Sequence, residues 1–192
     1  MTAKYVMRYL PEHDITFIHN PKTAGTSISA WLDSNFKTVS GRKHGHCIEV
    51  EEFFPKTRLT FGVVRNPWAR MVSWYKFANH GNETFENWML ARFHIHQTGL
   101  TFHPQVSWAL PWYTLGTPQA DWFDDNTLIL KYENLHNDFK RIKKILRCEQ
   151  ELCILNKNET YDYKDYYNDD LIELVHHVFI KDIIRYNYTY EI

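Results

Sequence analysis

The chain has 192 residues, a size that fits one domain able to bury its own core without a metal or a disulfide. A net charge of −1, from 22 Lys and Arg against 23 Asp and Glu, excludes the basic surface of a general nucleic-acid binder, so any anion site must be local. No run approaches the roughly 18 apolar residues of a membrane span, and the N-terminal MTAKYVMRYLPEHD lacks the apolar stretch and cleavage site of a secretory signal. A cytoplasmic protein is therefore expected, with Cys47, Cys148 and Cys153 as reduced thiols.

The first strong strand is Ile15–His19. It runs into Asn20-Pro21-Lys22-Thr23-Ala24-Gly25-Thr26-Ser27, and a helix follows with Ile28, Trp31 and Leu32 at helical spacing. A strand, a small polar loop and a helix together make an anion site, because the loop amides and the helix N-terminus face the ligand. Ala24 and Gly25 allow close approach, Thr23, Thr26 and Ser27 add hydroxyls, and Lys22 adds a point charge. The order is not that of a Walker A loop, whose lysine directly follows the second glycine; Lys22 precedes Gly25.

Ser40–His46 reads as a polar loop and Ile48–Phe54 as a short helix. Leu59–Val64 is an apolar run of the kind found in buried parallel strands, and it ends in Arg65-Asn66-Pro67. Pro67 suits the first turn of the next helix, which carries Met71, Val72, Trp74 and Tyr75. Arg65 stands at the strand edge where open α/β sheets bind ligands and can hold a phosphate bidentately; Ser73 can add one bond. The stretch from about Asn79 to Asp125 is aromatic and irregular, with helical pieces near Phe85–Arg92 and Gln105–Ala109. His94 and His96 alternate, but no further ligand spacing completes a zinc site, and no metal is expected. Thr127–Lys131 is a third strand, Asp138–Leu146 a helix, and Leu171–Ile184 a last amphipathic helix. The alternation predicts an α/β domain with a mainly parallel sheet, spanning 1–192.

Together, P-K-T-A-G-T-S and V-R-N-P-W-A-R-M-V-S-W-Y resemble the paired nucleotide motifs of the sulfotransferases that use 3'-phosphoadenosine 5'-phosphosulfate (PAPS), especially the carbohydrate sulfotransferases and their soluble bacterial and viral relatives. The resemblance continues in His103-Pro104-Gln105, Lys131-Tyr132-Glu133-Asn134-Leu135, Leu155-Asn156-Lys157 and the closing Tyr166-Tyr167 to Tyr188 region, so it covers nearly the whole chain. It implies a P-loop-like three-layer α/β/α fold with no metal, in which PAPS is the co-substrate and PAP, the 3',5'-bisphosphate, the product. It assigns Pro21, Lys22, Thr23, Ala24, Gly25, Thr26 and Ser27 to the 5'-phosphosulfate, Arg65 and Ser73 to the 3'-phosphate, and Lys157 to the nucleotide. Lys131 departs from the arginine common in the family and keeps the charge without the fork.

Sulfuryl transfer needs a base that titrates near neutrality, which suits histidine. Lys43-His44-Gly45-His46 is similar to the catalytic segment of uronyl 2-O-sulfotransferases. That register favours His46, whereas the K-H of soluble relatives favours His44, and both stay open as the base beside Lys22 as the charge-neutralising group. The expected partners are a nucleotide and a glycan or small-molecule acceptor. Two other classes compete: a nucleotide kinase, which would need Walker A order, and a non-catalytic nucleotide-binding module.

Overall fold

The computed structural model describes residues 6–43, 57–78, 83–96, 99–102, 113–155 and 161–190. The expected helices at Ile48–Phe54 and Gln105–Ala109 lie outside them, as do Cys47, His44, His46, His103 and Lys157. The chain gathers into two compact units, residues 1–65 with 120–158 and residues 66–119 with 159–192.

The first unit is built on a five-stranded sheet in the order β3-β1-β2-β4-β7. The three strands expected from apolar runs form its parallel part: β2 (Ile15–Ile18), β4 (Leu59–Val64) and β7 (Leu128–Lys131). The sheet as a whole is mixed rather than mainly parallel, because β1 (Val6–Leu10) runs antiparallel to both β2 and β3 (Val39–Lys43). The reason is local. Only four residues, Pro11 to Asp14, join β1 to β2, and so short a link can return the chain only as a hairpin. Asp14 takes the left-handed conformation at φ 54, which its short side chain tolerates. Strand β3 replaces part of the loop expected at Ser40–His46.

One face of the sheet is covered by α1 (Gly25–Asn35) and α4 (Leu135–Leu146). Ile28, Trp31 and Leu32 of α1 and Leu135, Phe139, Ile142 and Leu146 of α4 share a core with Ile15, Phe17, Phe61, Val63 and Leu130. Both helices thus present apolar residues at helical spacing to alternate residues of the strands. Each such side chain contributes on the order of 1.5–3 kcal/mol when fully buried. On the opposite face Gly62 lies so close to Phe123 that a Cβ there would stand 2.1 Å from the ring. Helix α4 begins three residues earlier than Asp138 and ends at Arg147, in the left-handed conformation with Cys148 N–H on the Lys143 carbonyl.

The second unit holds α2 (Pro67–Ala78), α3 (Phe85–Arg92), a hairpin of β5 (Phe93–His96) and β6 (Gly99–Phe102), α5 (Asp169–Val178) and α6 (Ile180–Tyr186). Helix α2 starts as expected with Pro67 in its first turn, and Asn66 caps it by accepting from Trp68 N–H at 3.1 Å and Ala69 N–H at 3.2 Å. The hairpin lies in the stretch read as irregular. The single helix expected over Leu171–Ile184 is two helices, broken at Phe179, whose ring is buried and meets Phe93 edge-on at 6.4 Å. Rings also fill the rest of this core: Phe85 packs on Tyr75, Trp88, Tyr166 and Tyr167. The architecture is α/β with a five-stranded mixed sheet, compatible with a three-layer α/β/α arrangement. Among the described residues no helix is long and apolar enough to cross a membrane.

Candidate anion site at the ends of three parallel strands

Strands β2, β4 and β7 end side by side, with β4 in the middle. Their C-terminal ends deliver three groups: the loop of Lys22 after β2, Arg65 after β4 and Tyr132 after β7. This is the edge at which open α/β sheets take ligands.

The loop from His19 to Ala24 is tight. Asn20 N–H donates to the Ile18 carbonyl at 3.1 Å, and the Thr23 hydroxyl donates to the Asn20 carbonyl at 2.7 Å. Lys22 and Ala24 both adopt left-handed backbone conformations, at φ 68 and φ 64. Each costs a non-glycine residue about 1–2 kcal/mol, a strain seen most often where backbone must be aimed at a ligand. Ala24 also forms the N-cap of α1. Its carbonyl accepts Ser27 N–H and Ile28 N–H, its methyl side chain offers no cap, and the first turn of the helix carries no acidic residue. The N-terminal amides and the positive end of the helix dipole are therefore not neutralised by a carboxylate from that turn.

Arg65 meets this loop directly. Its guanidinium donates to the Lys22 carbonyl at 3.4 Å and lies 4.2 Å over the ring of Tyr132. Burial, and then the neighbouring Arg65 charge, push the Lys22 ammonium down to about 8 from its ordinary 10.5. Two cations held together beside the N-terminus of α1 oppose each other electrostatically, and an anion would relieve that opposition.

The other sequence candidates are placed as follows. Pro21 is buried, and Thr23, also buried, spends its proton within the loop. Thr26 is part-buried, with its hydroxyl making no bond to a described residue. Ser27 accepts Leu155 N–H at 2.9 Å, so its hydroxyl ties the start of the Leu155-Asn156-Lys157 segment to α1. Ser73 lies buried on α2, in the second unit. His44, His46 and Lys157 are outside the described residues. Among the described residues no cluster of His, Cys, Asp or Glu could hold a metal.

Three neighbours were not singled out from the sequence. Asn20 and Tyr132 act through partners remote in the chain. His19, 2% exposed, places its ring where a side chain at position 25 would go. A Cβ on Gly25 would stand 2.3 Å from the ring's Nε2 and Cδ2. Gly25→Ala is accordingly expected to destabilise the fold by about 1–3 kcal/mol, the scale of overpacking, and to abolish anion binding at the loop. Thermal melts and calorimetric titration with PAP check this; unchanged affinity would show that the loop does not depend on that close approach.

Compared with protein-family models, with curated proteins and with solved structures, the chain gives no match.

Proposed function

We propose that the protein is a sulfotransferase of the P-loop-like three-layer type that uses PAPS as sulfuryl donor. Its acceptor is read as a hydroxyl or amine, on a carbohydrate or another small molecule. The observation that carries this reading is the pair of Lys22 and Arg65, side by side at the C-terminal ends of parallel strands and next to the N-terminus of α1, whose first turn carries no acidic residue. The motifs around both residues support the same donor.

The residues suit a nucleotide that carries anionic groups at both its 5' and its 3' position. The loop amides and Lys22 would take the 5'-phosphosulfate and Arg65 the 3'-phosphate, for which the resemblance also names Ser73. The nucleotide supplies an activated sulfuryl group. Lys22 would neutralise the charge that grows on the bridging oxygen as its bond to sulfur breaks, the electrostatic role that dominates such in-line transfers. His46 or His44 would take the proton that the acceptor loses as its bond to sulfur forms. Lys22 lies inward of Walker A order, which separates this reading from a metal-assisted kinase.

The first test is thermal stabilisation, since a ligand that binds only the native state raises its melting temperature. PAP is expected to do so, and ATP with Mg²⁺ is not. The reverse result would reject the sulfotransferase reading in favour of a kinase. Incubation with labelled PAPS and a panel of acceptors, read by mass spectrometry, then tests transfer itself; binding without transfer would leave a non-catalytic module. Replacing both His44 and His46 with alanine is expected to abolish transfer and leave PAP affinity unchanged. Full activity in that double variant would move the base elsewhere.

A further inference from the structure

Asn20 is fully buried, although it carries no apolar surface that would draw it inside. Its bonds explain why. The side-chain amide donates to the Val63 carbonyl at 3.0 Å, and the backbone carbonyl accepts the Thr23 hydroxyl at 2.7 Å. Val63 lies two residues before Arg65, and Lys22 lies two residues after Asn20. The paired register of β2 and β4 stops at Ile18 and Gly62. Beyond that point the side chain of Asn20 continues the link between the two strands that their backbones no longer make, and it supplies a donor to a carbonyl buried in the sheet.

We propose that Asn20 is a positioning residue for the anion site: it fixes the loop of Lys22 against the end of β4, so that Lys22 and Arg65 stay close enough for one nucleotide to engage both. The proposal rests on reading that pair as the nucleotide site. An amide is required. A serine is too short to reach Val63, and an aspartate offers no N–H to a carbonyl. The serine replacement leaves both cations in place and adds no charge beside them.

A residue that merely stabilised the fold would change melting without changing how Lys22 and Arg65 sense each other. The discriminating measurement is therefore the titration of the Lys22 amine, followed by NMR, together with calorimetric PAP affinity, in wild type and Asn20→Ser. In wild type the Lys22 amine is expected to titrate well below an ordinary lysine, because burial and the Arg65 charge act on it together. In Asn20→Ser that titration is expected to move up, and PAP affinity to fall at least about tenfold, as when an oriented charged contact is lost. Asn20→Thr, which likewise has no side-chain amide N–H to reach Val63, is expected to shift both in the same direction, and it serves if the serine variant does not fold. An unmoved Lys22 titration in the folded variants would overturn the proposal. If wild type ignores PAP while the Lys22 titration still follows position 20, the positioning role stands and the nucleotide reading fails.

Discussion

Replacing Lys22 with methionine is expected to make the ligand-free protein more stable and to cut sulfuryl transfer by at least about 100-fold, the scale for losing one key stabilising group. The first effect follows from the ionisation of Lys22. Its folded value of about 8 lies below the ordinary 10.5, chiefly because of burial and secondly because of Arg65. Below about pH 8 the ammonium is present in both folded and unfolded chains, and its burial beside another cation destabilises the fold in full. Between about 8 and 10.5 the unfolded chain holds the proton that the native protein has released, so stability rises with pH across that window. Each unit corresponds to about 1.4 kcal/mol, but partial exposure screens the charge, and a cost of about 1–2 kcal/mol is the reasonable scale. For a chain of this size that is a few degrees of melting temperature. Methionine keeps the apolar stem and removes the charge, so its advantage should be present at pH 7 and vanish above about 10.5. Melting curves across pH, beside turnover at pH 7, check both halves. A variant that is less stable at neutral pH would overturn the view that the buried Lys22 charge destabilises the ligand-free fold.

The sites of agreement between sequence and fold share a physical cause. Strands β2, β4 and β7 are short, mostly apolar runs that carry Ile15, Phe17, Phe61, Val63 and Leu130 into the core, and burial leaves its mark residue by residue. The turn of Lys22 was legible because small residues, hydroxyls and a cation followed a strand directly. Strands β1 and β3 were not, because V-M-R-Y-L and V-S-G-R-K mix polar with apolar residues and present no apolar run. The break at Phe179 has no Gly or Pro to announce it; a buried ring beside Phe93 marks where one helix stops and the next begins. Asn20 and Tyr132 show the deeper limit. Asn20 matters because its amide reaches Val63, 43 residues away, and Tyr132 because β7 lies beside β4. Such roles belong to strand pairing, and no local pattern carries them.

Arg65→Ala is expected to weaken PAP binding by at least about 100-fold while weakening adenosine 5'-phosphosulfate, which lacks the 3'-phosphate, far less. The asymmetry follows from what Arg65 can offer. Its guanidinium lies over the Tyr132 ring at 4.2 Å, a contact that restrains where the fork can sit. Arg65→Lys keeps the charge but loses both the stacking and the bidentate geometry, so it should recover little of the lost affinity. Tyr132→Leu should give an intermediate loss, because the guanidinium remains and only its orientation is relaxed. Removing Arg65 also takes away one of the two causes that lower Lys22, so the Lys22 amine should titrate closer to an ordinary lysine in the alanine variant. Calorimetry with the two nucleotides separates the possibilities. An equal loss for both would assign Arg65 to the 5' end beside Lys22, with which it already shares a hydrogen bond, and would leave recognition of the 3'-phosphate to other residues.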